Sequence, residues 1–482
     1  MANKNSNLGS AKANKNDEFY TQYPDIQKEV NAYIEFDPDT FRDKTVLLPC
    51  DDPEWSNFTK FFAQNFERYG LKKLISTSYA RLSKKTRYGI VNEPTLFEME
   101  SEIYDEDKSR DNGRIFILER KDISGDGRVD YDDLTWDYLE GDGDFRSEEV
   151  RRLRDEADII VTNPPFSMFR EFLSWIMEAG KKFLVIGNMN AITYKEVFPL
   201  IKENRVWLGS GFSNGNAYFK IPESASTEYA EGVYDQETKL VKFRNCCWFT
   251  NLDHGRRHQP LSLMTMADNL KFSRHKDIRG KAAYDHYDNY DAIEVPYTDA
   301  IPSDYIECLG VPISFLDKYC PFQYEIIGAT ESEGKGFSAG LWNPESGVAQ
   351  AMIRGNKVYK RLFIKKLVGG ASYRDLIEII VNMGIERDDI VYYSGIMGVP
   401  ISFLDKYCPE QFEIVGITKT WFGGANKIYP EQIQVNRGKQ SRVTKLNDGA
   451  TLKLDKEPND VYYMVGGEMF QQVYARVLIK KI

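Results

Sequence analysis

The sequence predicts an α/β fold with a largely parallel sheet, followed by a region that contains an internal repeat. Short apolar segments alternate with longer amphipathic ones over residues 16–250, as strands and helices do in α/β domains. A twelve-residue segment, GVPISFLDKYCP, occurs at 310–321 and again at 398–409. The chain has 482 residues, which corresponds to about three domains at roughly 150 residues each.

Apolar segments in the first half read as strands because each is short, continuous and bounded by polar or turn residues. They cover residues 45–49, 71–76, 158–162, 183–187 and 205–208. Helices are expected between them, one after the first strand and two more over 168–179 and about 194–204. The first of these helices places four phenylalanines on one face, namely Phe58, Phe61, Phe62 and Phe66. In sheets of this kind, ligands bind beyond the carboxyl ends of the strands.

The composition excludes several classes of protein. Apolar residues make up 42% and aromatic residues 13% of the chain, so disorder throughout is excluded. No segment approaches the about 20 apolar residues that a membrane span needs, and the N-terminus lacks the apolar core of a secretory signal. The six cysteines form no C-x-x-C pair, which argues against a disulfide framework or a zinc ribbon and predicts a reducing, cytoplasmic setting.

The net charge of −10 is unevenly distributed along the chain. Residues 91–160 carry 23 acidic and 10 basic residues, whereas the other 412 residues together carry a charge of +3. The overall charge therefore gives no evidence against a nucleic-acid partner.

The repeat extends beyond the identical segment. The residues that follow it are similar in the two copies, and both copies close on basic segments that contain a tyrosine, at 358–366 and 473–481. Twelve identical residues in a row indicate a tandem duplication, and two copies are too few for a solenoid. The predicted divisions are a disordered N-terminus at 1–16, an α/β domain at 17–250, a region with the first copy at 251–370 and the second copy at 371–482.

The tetrapeptide Asn163-Pro164-Pro165-Phe166 directly follows the predicted strand 158–162. Two prolines make the turn rigid and offer no N–H group, so the loop presents oxygen atoms. The Asn163 side-chain oxygen and the Pro164 carbonyl can accept both hydrogens of one planar amine. The ring of Phe166 offers a face for a flat base, and such stacking is worth about 1–3 kcal/mol. The loop is a candidate for orienting a base amine, and the alternative is a proline-ended strand with an asparagine turn.

In these and other segments the chain resembles the EcoRI-type family of adenine-specific DNA methyltransferases. The resemblance covers about residues 16–330 and then the repeated segment again. It is carried by NDEFYTQYPDIQKEV (16–30), GDGDFRSEEV (141–150), ADIIVTNPPFSMFREF (157–172), GNMNAITYKEVFPLIKENRVWLG (187–209), CWFTNLDH (247–254) and GVPISFLDKYCPFQYEIIG (310–328). The resemblance implies a Rossmann-like catalytic domain that uses S-adenosylmethionine, followed by a duplicated α+β region that recognises the DNA target. It also implies that residues 163–166 are the catalytic residues.

Seven residues are expected to contact the cofactor. They are, in chain order, Phe19, Tyr20, Thr21, Asp51, Asp52, Asp144 and Phe145. By the resemblance, the first three match the motif along the methionine end of the cofactor, and the last two match the motif at its adenine. Either aspartate of the loop after the first strand is a candidate for the amino group, although helix capping explains each equally well. That loop lacks the usual G-x-G, and the second strand lacks a terminal acidic residue, so the partner of the ribose stays open.

The acidic segment 122–133, DISGDGRVDYDD, has the spacing of an EF-hand calcium loop, with glycine at the sixth position. Its twelfth position is Asp rather than Glu, and the preceding RIFILER reads as a strand rather than an entering helix. A solvated acidic loop is the favoured interpretation, with calcium as the alternative. No metal site is predicted.

Three basic segments follow residue 250, at 254–281, 351–366 and 432–446. The last two contain no acidic residue. Such surfaces follow phosphates, although any single one also suits an ordinary solvated face. The candidate DNA contacts are Arg256, Arg257, Arg354, Lys360, Arg361, Arg437, Lys439 and Arg442.

We therefore predict a site-specific DNA adenine methyltransferase that acts as a monomer on double-stranded DNA in the cytoplasm of a prokaryotic cell or its phage. The target adenine has to leave the helix, because its amine is paired and stacked there. Two alternatives stay open: an NPPF-type methyltransferase of cytosine amines, RNA or a protein glutamine, and a DNA-binding regulator with a degenerate catalytic domain. The sequence has no recognisable nuclease motif, and it leaves open the recognition site and a cognate restriction endonuclease.

Overall fold

The computed structural model describes most of the first 367 residues and separate segments beyond them. The described residues are 20–51, 53, 56–80, 96–212, 216–220, 233–321, 323–331, 336–367, 379–385, 390–393, 396–417, 432–436, 439–443, 451–454, 462–465, 468–472 and 476–481. The predicted disordered N-terminus, 1–16, lies outside them. The chain divides into two compact units, residues 1–365 and 366–482.

Strands and helices alternate over the first part of the first unit. The strands are β1 (Tyr20–Thr21), β2 (Thr45–Leu48), β3 (Lys73–Ser78), β4 (Arg114–Glu119), β5 (Thr135–Tyr138), β6 (Ile159–Thr162), β7 (Lys182–Asn188), β8 (Trp207–Leu208), β9 (Asn216–Lys220), β10 (Tyr234–Asp235), β11 (Leu240–Arg244), β12 (Cys246–Thr250), β13 (Ile293–Glu294), β14 (Leu309–Pro312), β15 (Tyr324–Ala329), β16 (Met352–Ile353), β17 (Asn356–Lys357) and β18 (Arg361–Lys366). The α-helices are α1 (Tyr23–Phe36), α2 (Asn57–Gln64), α3 (Phe66–Tyr69), α4 (Leu96–Met99), α5 (Glu106–Asp111), α6 (Glu148–Glu156), α7 (Phe169–Glu178), α8 (Phe198–Lys202) and α9 (Met266–Phe272). None of the described helices is long and apolar enough to cross a membrane.

A mixed sheet lies at the centre of the first unit. In the described part of the chain it has eight strands in the order β5-β4-β3-β2-β6-β7-β12-β8. The strands β3, β2, β6 and β7 are parallel, while β4, β5 and β12 run antiparallel to their neighbours, so the sheet is less parallel than predicted. All residues of β2 and β6 are buried, which explains why these strands read as continuous apolar segments.

Most of the predicted elements are confirmed, with shifts at their ends. The strands predicted at 45–49, 158–162 and 183–187 are β2, β6 and β7, and the second strand lies two residues later than predicted. The helix predicted over about 194–204 is shorter, since α8 covers only Phe198–Lys202. Pro199 is the second residue of α8, and a proline is tolerated only in the first turn of a helix.

Helices α2 and α7 cover opposite faces of the central sheet. Ser56 caps α2, its side chain accepting a hydrogen bond from Phe58 N at 3.1 Å. Phe58 and Phe62 are buried against one face of the sheet, in the same hydrophobic cluster as β2 residues. Phe172 and Ile176 of α7 are buried in the cluster on the other face.

A smaller antiparallel sheet has the order β1-β9-β11-β10. Glu29 of α1 binds the backbone of residues 210 and 211, which precede β9 in the chain. Glu29 is fully buried, and its carboxylate accepts hydrogen bonds from the Tyr33 hydroxyl at 2.7 Å and from the N–H groups of Ser210 and Gly211 at 2.8 Å. Burial raises the pKa of Glu29, and these hydrogen bonds oppose that shift.

A third sheet of the first unit has the order β13-β14-β18-β15. Its core is continuous with that of the central sheet, because Val311 and Phe315 belong to the same buried cluster as Phe172 and Phe198. The region of the first repeat copy is therefore packed into one hydrophobic core with the α/β domain.

The second unit contains two sheets in its described parts. One consists of β19 (Val391–Tyr393), β20 (Ile396–Pro400), β21 (Phe412–Ile417) and β27 (Arg476–Lys481), in the order β19-β20-β27-β21. The other consists of β22 (Gln432–Asn436), β23 (Lys439–Val443), β24 (Thr451–Leu454), β25 (Tyr462–Val465) and β26 (Glu468–Gln472), in the order β23-β22-β25-β26-β24.

The duplicated segment has the same local structure in both units. Val311 of β14 pairs with Leu362 of β18, and Val399 of β20 pairs with Val477 of β27. The sequence ISFLDK that follows forms a 3-10 helix in each copy, at Ile313–Lys318 and at Ile401–Lys406.

Candidate active site

Four loops begin at the carboxyl edge of the parallel strands. They follow β2, β3, β6 and β7 and start at Pro49, Tyr79, Asn163 and Met189. Because parallel strands end on the same edge of a sheet, these loops lie side by side, where open α/β sheets bind their ligands.

Asp51, whose carboxylate is buried, connects the loop after β2 with the ends of β3 and β6. Asp51 is 5% exposed, and Ser56 Oγ donates to its Oδ1 at 2.7 Å. Thr162 Oγ1, at the end of β6, lies 2.5 Å from Asp51 Oδ2 and 2.7 Å from the Pro49 carbonyl oxygen. The Asp51 backbone N–H donates to the Thr77 carbonyl oxygen of β3 at 2.8 Å. The loop after β2 is thus fixed to the ends of β3 and β6.

The turn after β2 has a glycine-like conformation without a glycine. Cys50 has a φ of 73°, in the left-handed region that residues with a side chain rarely adopt. Cys50 is half-buried, and its thiol is hydrogen-bonded to the Tyr79 hydroxyl. Burial raises the pKa of Tyr79, and the thiol acts in the same direction, so the phenol stays protonated at neutral pH. Cys50 thus takes up the left-handed conformation for which glycine is usually required.

The predicted catalytic loop follows β6. Asn163 is half-buried with a buried Oδ1, and Pro164 is buried. Pro165, at φ −53° and ψ 123°, starts the 3-10 helix Phe166–Met168, which leads into α7. The two prolines thus give the extended, rigid turn that the sequence predicts.

Phe166 connects the catalytic loop with the N-terminal strand. Its ring centroid lies 6.4 Å from those of Phe219 and Phe243, at interplanar angles of 74° and 79°, so both contacts are edge-on. Phe219 pairs with Thr21 of β1, and Asn57 Nδ2, at the start of α2, donates to Thr21 O at 2.7 Å. The predicted segments at 20–21, 51 and 163–166 are therefore brought together. Phe19 and Asp52 lie outside the described residues.

Three buried hydroxyl groups at this site have no hydrogen-bond partner among the described residues. They are Thr21 Oγ1, Thr77 Oγ1 and Ser78 Oγ. Buried hydroxyl groups in folded proteins are nearly always hydrogen-bonded, so their presence fits a polar ligand at this edge. Thr21 is one of the predicted cofactor residues, whereas Thr77, Ser78, Ser56 and Thr162 were not identified from the sequence, where serine and threonine carry no distinctive spacing.

The GDGDF loop, 141–145, lies against the end of β3. Ala80 N donates to Asp142 O at 2.8 Å. Gly143 has a φ of 82°, and a Cβ at this position would overlap the Ser78 carbonyl oxygen. Glycine is required at Gly143 for both reasons, which explains the close approach of this loop to the site.

The two predicted cofactor residues of this loop point in different directions. Asp144 accepts hydrogen bonds from Arg146 Nε at 2.9 Å and Nη2 at 2.5 Å. Burial raises the pKa of Asp144, but these bonds outweigh it, so the net pKa is lowered. Phe145 is fully buried, with its ring centroid 5.1 Å from that of Phe172 and 5.5 Å from that of Trp175. Its ring lies in the hydrophobic core.

Two of the predicted DNA contacts are buried in the first unit. Arg257 lies 3.5 Å over the Trp207 ring and donates to Asp253 at 3.0 Å. Arg361 donates to both carboxylate oxygens of Glu294. Their exposed fractions are 5% and 8%, so neither guanidinium faces solvent in this structure.

Four other predicted DNA contacts, Arg256, Arg354, Lys360 and Lys439, lie nearer the surface. Arg256 is half-buried and donates to the Ser210 carbonyl oxygen at 2.6 Å. Arg354 pairs with Asp285 at 2.5 Å but is 77% exposed, and Lys360 is exposed as well. In the second unit, Lys439 is exposed on β23, which is an edge strand among the described residues. Arg437 lies outside the described residues, as does the side chain of Arg442.

The carboxylates of the acidic loop 122–133 bind the backbone of the loop itself. Asp122 accepts hydrogen bonds from Gly125 N at 2.6 Å and Gly127 N at 2.9 Å. Asp133 accepts hydrogen bonds from backbone N–H groups, chiefly that of Ser124, and these lower the pKa of Asp133 to about 2. Over the residues that the structure describes, no group of three or more metal-binding side chains is placed to hold an ion.

A known protein family matches nearly the whole chain. The family model described as "Adenine-specific methyltransferase EcoRI" matches residues 7–367 and 375–482. The chain is 42% identical to the Type II methyltransferase M.EcoRI of Escherichia coli over 324 residues, which are 67% of this chain and 89% of that protein. It is 32% identical to the Type II methyltransferase M.MpnI of Mycoplasma pneumoniae over 322 residues, 66% of this chain and 83% of that protein. No solved structure matches this chain.

The family model covers residues 163–166 and the strands around them, and it extends into the second unit. The chain belongs to the EcoRI family of adenine-specific DNA methyltransferases.

Proposed function

We propose that this enzyme transfers a methyl group from S-adenosylmethionine to the exocyclic amine of an adenine that is flipped out of double-stranded DNA. The observation that carries the proposal is the catalytic loop 163–166 at the carboxyl edge, joined to the loop of Asp51 through the Thr162 hydroxyl. This connection between the two loops supports a site for the methyl donor and a site for the target base that are held at a fixed distance from each other.

In this proposal, Asn163 and the Pro164 carbonyl accept the two hydrogens of the adenine amine and turn its lone pair toward the methyl group. The Phe166 ring stacks on the base, and the edge-on contacts with Phe219 and Phe243 fix the orientation of this ring. Positioning supplies most of the rate, because a correctly oriented amine reacts as in a unimolecular step. No side-chain base is needed beforehand, since the proton leaves the amine after transfer.

The residues around the edge fit the proposed cofactor. When bound, S-adenosylmethionine supplies a methyl group that its positively charged sulfur already activates. Asp51 would hold the amino group, and the unpartnered hydroxyls of Thr21, Thr77 and Ser78 are donors for its polar atoms. Asp144 would share its carboxylate between Arg146 and the cofactor adenine, while Phe145 supports the pocket from within the core.

We expect the cofactor to protect Cys50 from alkylation. Cys50 and Cys408 are half-buried, whereas the other four cysteines are buried. At a cofactor concentration of about ten times its Kd, labelling of Cys50 by a maleimide should slow about tenfold, because only the free site exposes the thiol. Cys408 serves as the internal control and should label at one rate throughout. Equal rates for Cys50 with and without cofactor would place the cofactor elsewhere.

The Thr162 hydroxyl should position the catalytic loop. Thr162→Val keeps the side-chain shape but removes the hydroxyl whose single proton is shared between Asp51 Oδ2 and the Pro49 carbonyl oxygen, so kcat should fall about ten- to hundredfold, with a smaller change in the KM for the cofactor. Thr162→Ser should restore most of the rate. Thr135→Val, at the far end of the same sheet, is the matched control and should behave like wild type. An unchanged kcat in Thr162→Val would show that the link between the loops has no catalytic role.

Asn163→Ala should reduce methyl transfer by about a hundredfold or more, because one acceptor for the reacting amine is lost. Cofactor affinity, measured by calorimetry, and the thermal midpoint should stay close to wild type. Asn65→Ala, at the junction of α2 and α3, is the control and should retain full turnover. A tenth or more of wild-type turnover in Asn163→Ala would remove Asn163 from the catalytic residues.

Sequencing of modified bases in DNA from cells that express the protein tests the activity and reveals the recognition site. Methylation on adenine N6 is expected, whereas methylated cytosine amines, or no modification of DNA, would favour the alternatives that the sequence left open. We further propose that the enzyme acts as a monomer in the cytoplasm. The Type II designation of M.EcoRI and M.MpnI supports a cognate restriction endonuclease as its partner in the cell.

We also propose that the duplicated α+β region recognises the DNA target. Each copy has an insert between its opening segment GVPISFLDKYCP and its closing basic segment, and the two inserts differ. In the described residues, the insert of the first copy contains the hairpin β16–β17, whereas the insert of the second copy contains a five-stranded sheet. A constant framework with different inserts suits target recognition, because base contacts specify while phosphate contacts position. The exposed Lys439 on the edge strand β23 supports a phosphate contact in the second unit.

Neutralising Arg437, Lys439 and Arg442 together should weaken DNA binding on all sequences. The dependence of binding on salt should become shallower by about one unit of logarithmic slope for each contact that is lost. The control is the triple variant Lys108→Gln, Arg151→Gln and Arg152→Gln, which changes the net charge equally on exposed residues of the acidic part. Equal affinity and salt slope in both triple variants and wild type would exclude this surface from DNA binding.

A further inference from the structure

Tyr359 is an aromatic side chain that the proposed mechanism does not use. It is 86% exposed, more than any other large hydrophobic residue in the described part of the chain. It lies immediately before β18, and exposed lysines, Lys357 and Lys360, stand on either side of it. A tyrosine combines an apolar ring with a polar hydroxyl, and for that reason tyrosine is enriched at binding interfaces.

The backbone around Tyr359 is held rigidly. Arg361 Nη1 donates to the carbonyl oxygens of Tyr359 at 3.2 Å and Lys360 at 3.3 Å. Arg361 is itself buried and bound to both carboxylate oxygens of Glu294. A ring presented from a fixed backbone loses little conformational freedom when it binds, so it is suited to make a strong contact.

Lys360 places this turn beside the catalytic edge. Its Nζ donates to Thr193 Oγ1 at 2.8 Å. Thr193 ends the 3-10 helix that starts directly after β7, and β7 is paired with β6, which carries Asn163 at its end. Five residues of 3-10 helix span about 10 Å, so Tyr359 is within reach of a duplex whose target base enters the catalytic loop.

The chemistry of the turn favours nucleic acid over protein as its partner. Lysine is depleted from the cores of protein interfaces, whereas lysines beside a DNA helix neutralise phosphates. A tyrosine ring stacks on any base, and an adenine that leaves the helix exposes the faces of its neighbours.

We propose that Tyr359 stacks on the bases next to the flipped adenine and fills the space that the adenine leaves. The proposal rests on the proposed function, since it needs a flipped base. The ring makes the contact, and Lys360 contributes a phosphate contact beside it.

The test compares Tyr359→Ala, Tyr359→Phe and Tyr359→Trp on a duplex that contains the recognition site with 2-aminopurine at the target position. Binding is measured by anisotropy in the presence of S-adenosylhomocysteine, and base flipping by 2-aminopurine fluorescence. Tyr359→Ala should bind about tenfold or more weakly and give a smaller rise in fluorescence, while Phe and Trp should retain wild-type behaviour. The salt slope should be unchanged in Tyr359→Ala, because a ring releases no counterions, and shallower by about one unit in Lys360→Gln.

Ile123→Ala, which truncates another exposed apolar side chain, is the control and should match wild type throughout. The thermal midpoint and the cofactor affinity of Tyr359→Ala should also match wild type. Wild-type affinity and fluorescence in Tyr359→Ala would overturn the proposal, and so would an equal loss in Tyr359→Phe, which would assign the effect to the hydroxyl. Failure of the wild-type enzyme to bind this duplex, or to methylate the matching duplex with adenine at the target position, would instead refute the proposed function, and this proposal with it.

Discussion

The buried carboxylate of Asp51 is the interaction on which the site depends. A carboxylate that is 5% exposed is stable in a folded protein only when hydrogen bonds replace the water it has lost. Its acceptor oxygens bind Ser56 and Thr162, and its backbone N–H binds Thr77. The carboxylate thus fixes the start of α2 and the end of β6 around the loop after β2, and the backbone N–H fixes the same loop to β3. A ligand at this edge meets loops that are already positioned.

The sequence predicted the strands that carry this edge, because burial on both faces makes parallel strands uniformly apolar. It also predicted the rigid turn after β6, since the two prolines of 164–165 determine its backbone by their own chemistry. The network around Asp51 could not be predicted, because Ser56 and Thr162 become partners only when distant segments meet. The conformation of Cys50 was equally hidden, since glycine is the usual signal for a positive φ, and here tertiary contacts impose it on another residue.

Charge was the least informative feature of the sequence. A count of basic residues cannot distinguish a guanidinium that faces solvent from one that neutralises a buried acid. Arg361 neutralises Glu294 and fixes the backbone of Tyr359, while Lys360, its neighbour, is exposed. The buried arginine therefore contributes to the surface indirectly, by holding the residues beside it. Its role follows from burial, which depends on the whole fold.

The two copies of the duplicated segment share their backbone conformation but differ in the burial of their side chains. The same six residues form a 3-10 helix in both copies, after prolines with ψ of 150° at Pro312 and 157° at Pro400. Burial differs, since Leu316 is 6% exposed in the core of the first unit, whereas its counterpart Leu404 is 46% exposed. The backbone conformation is therefore a property of the segment, and the packing is a property of its surroundings. Because Leu404 contributes little buried area, the stability of the second unit depends on its other buried side chains, such as Phe403 of the 3-10 helix, Phe412 of β21 and Val477 of β27.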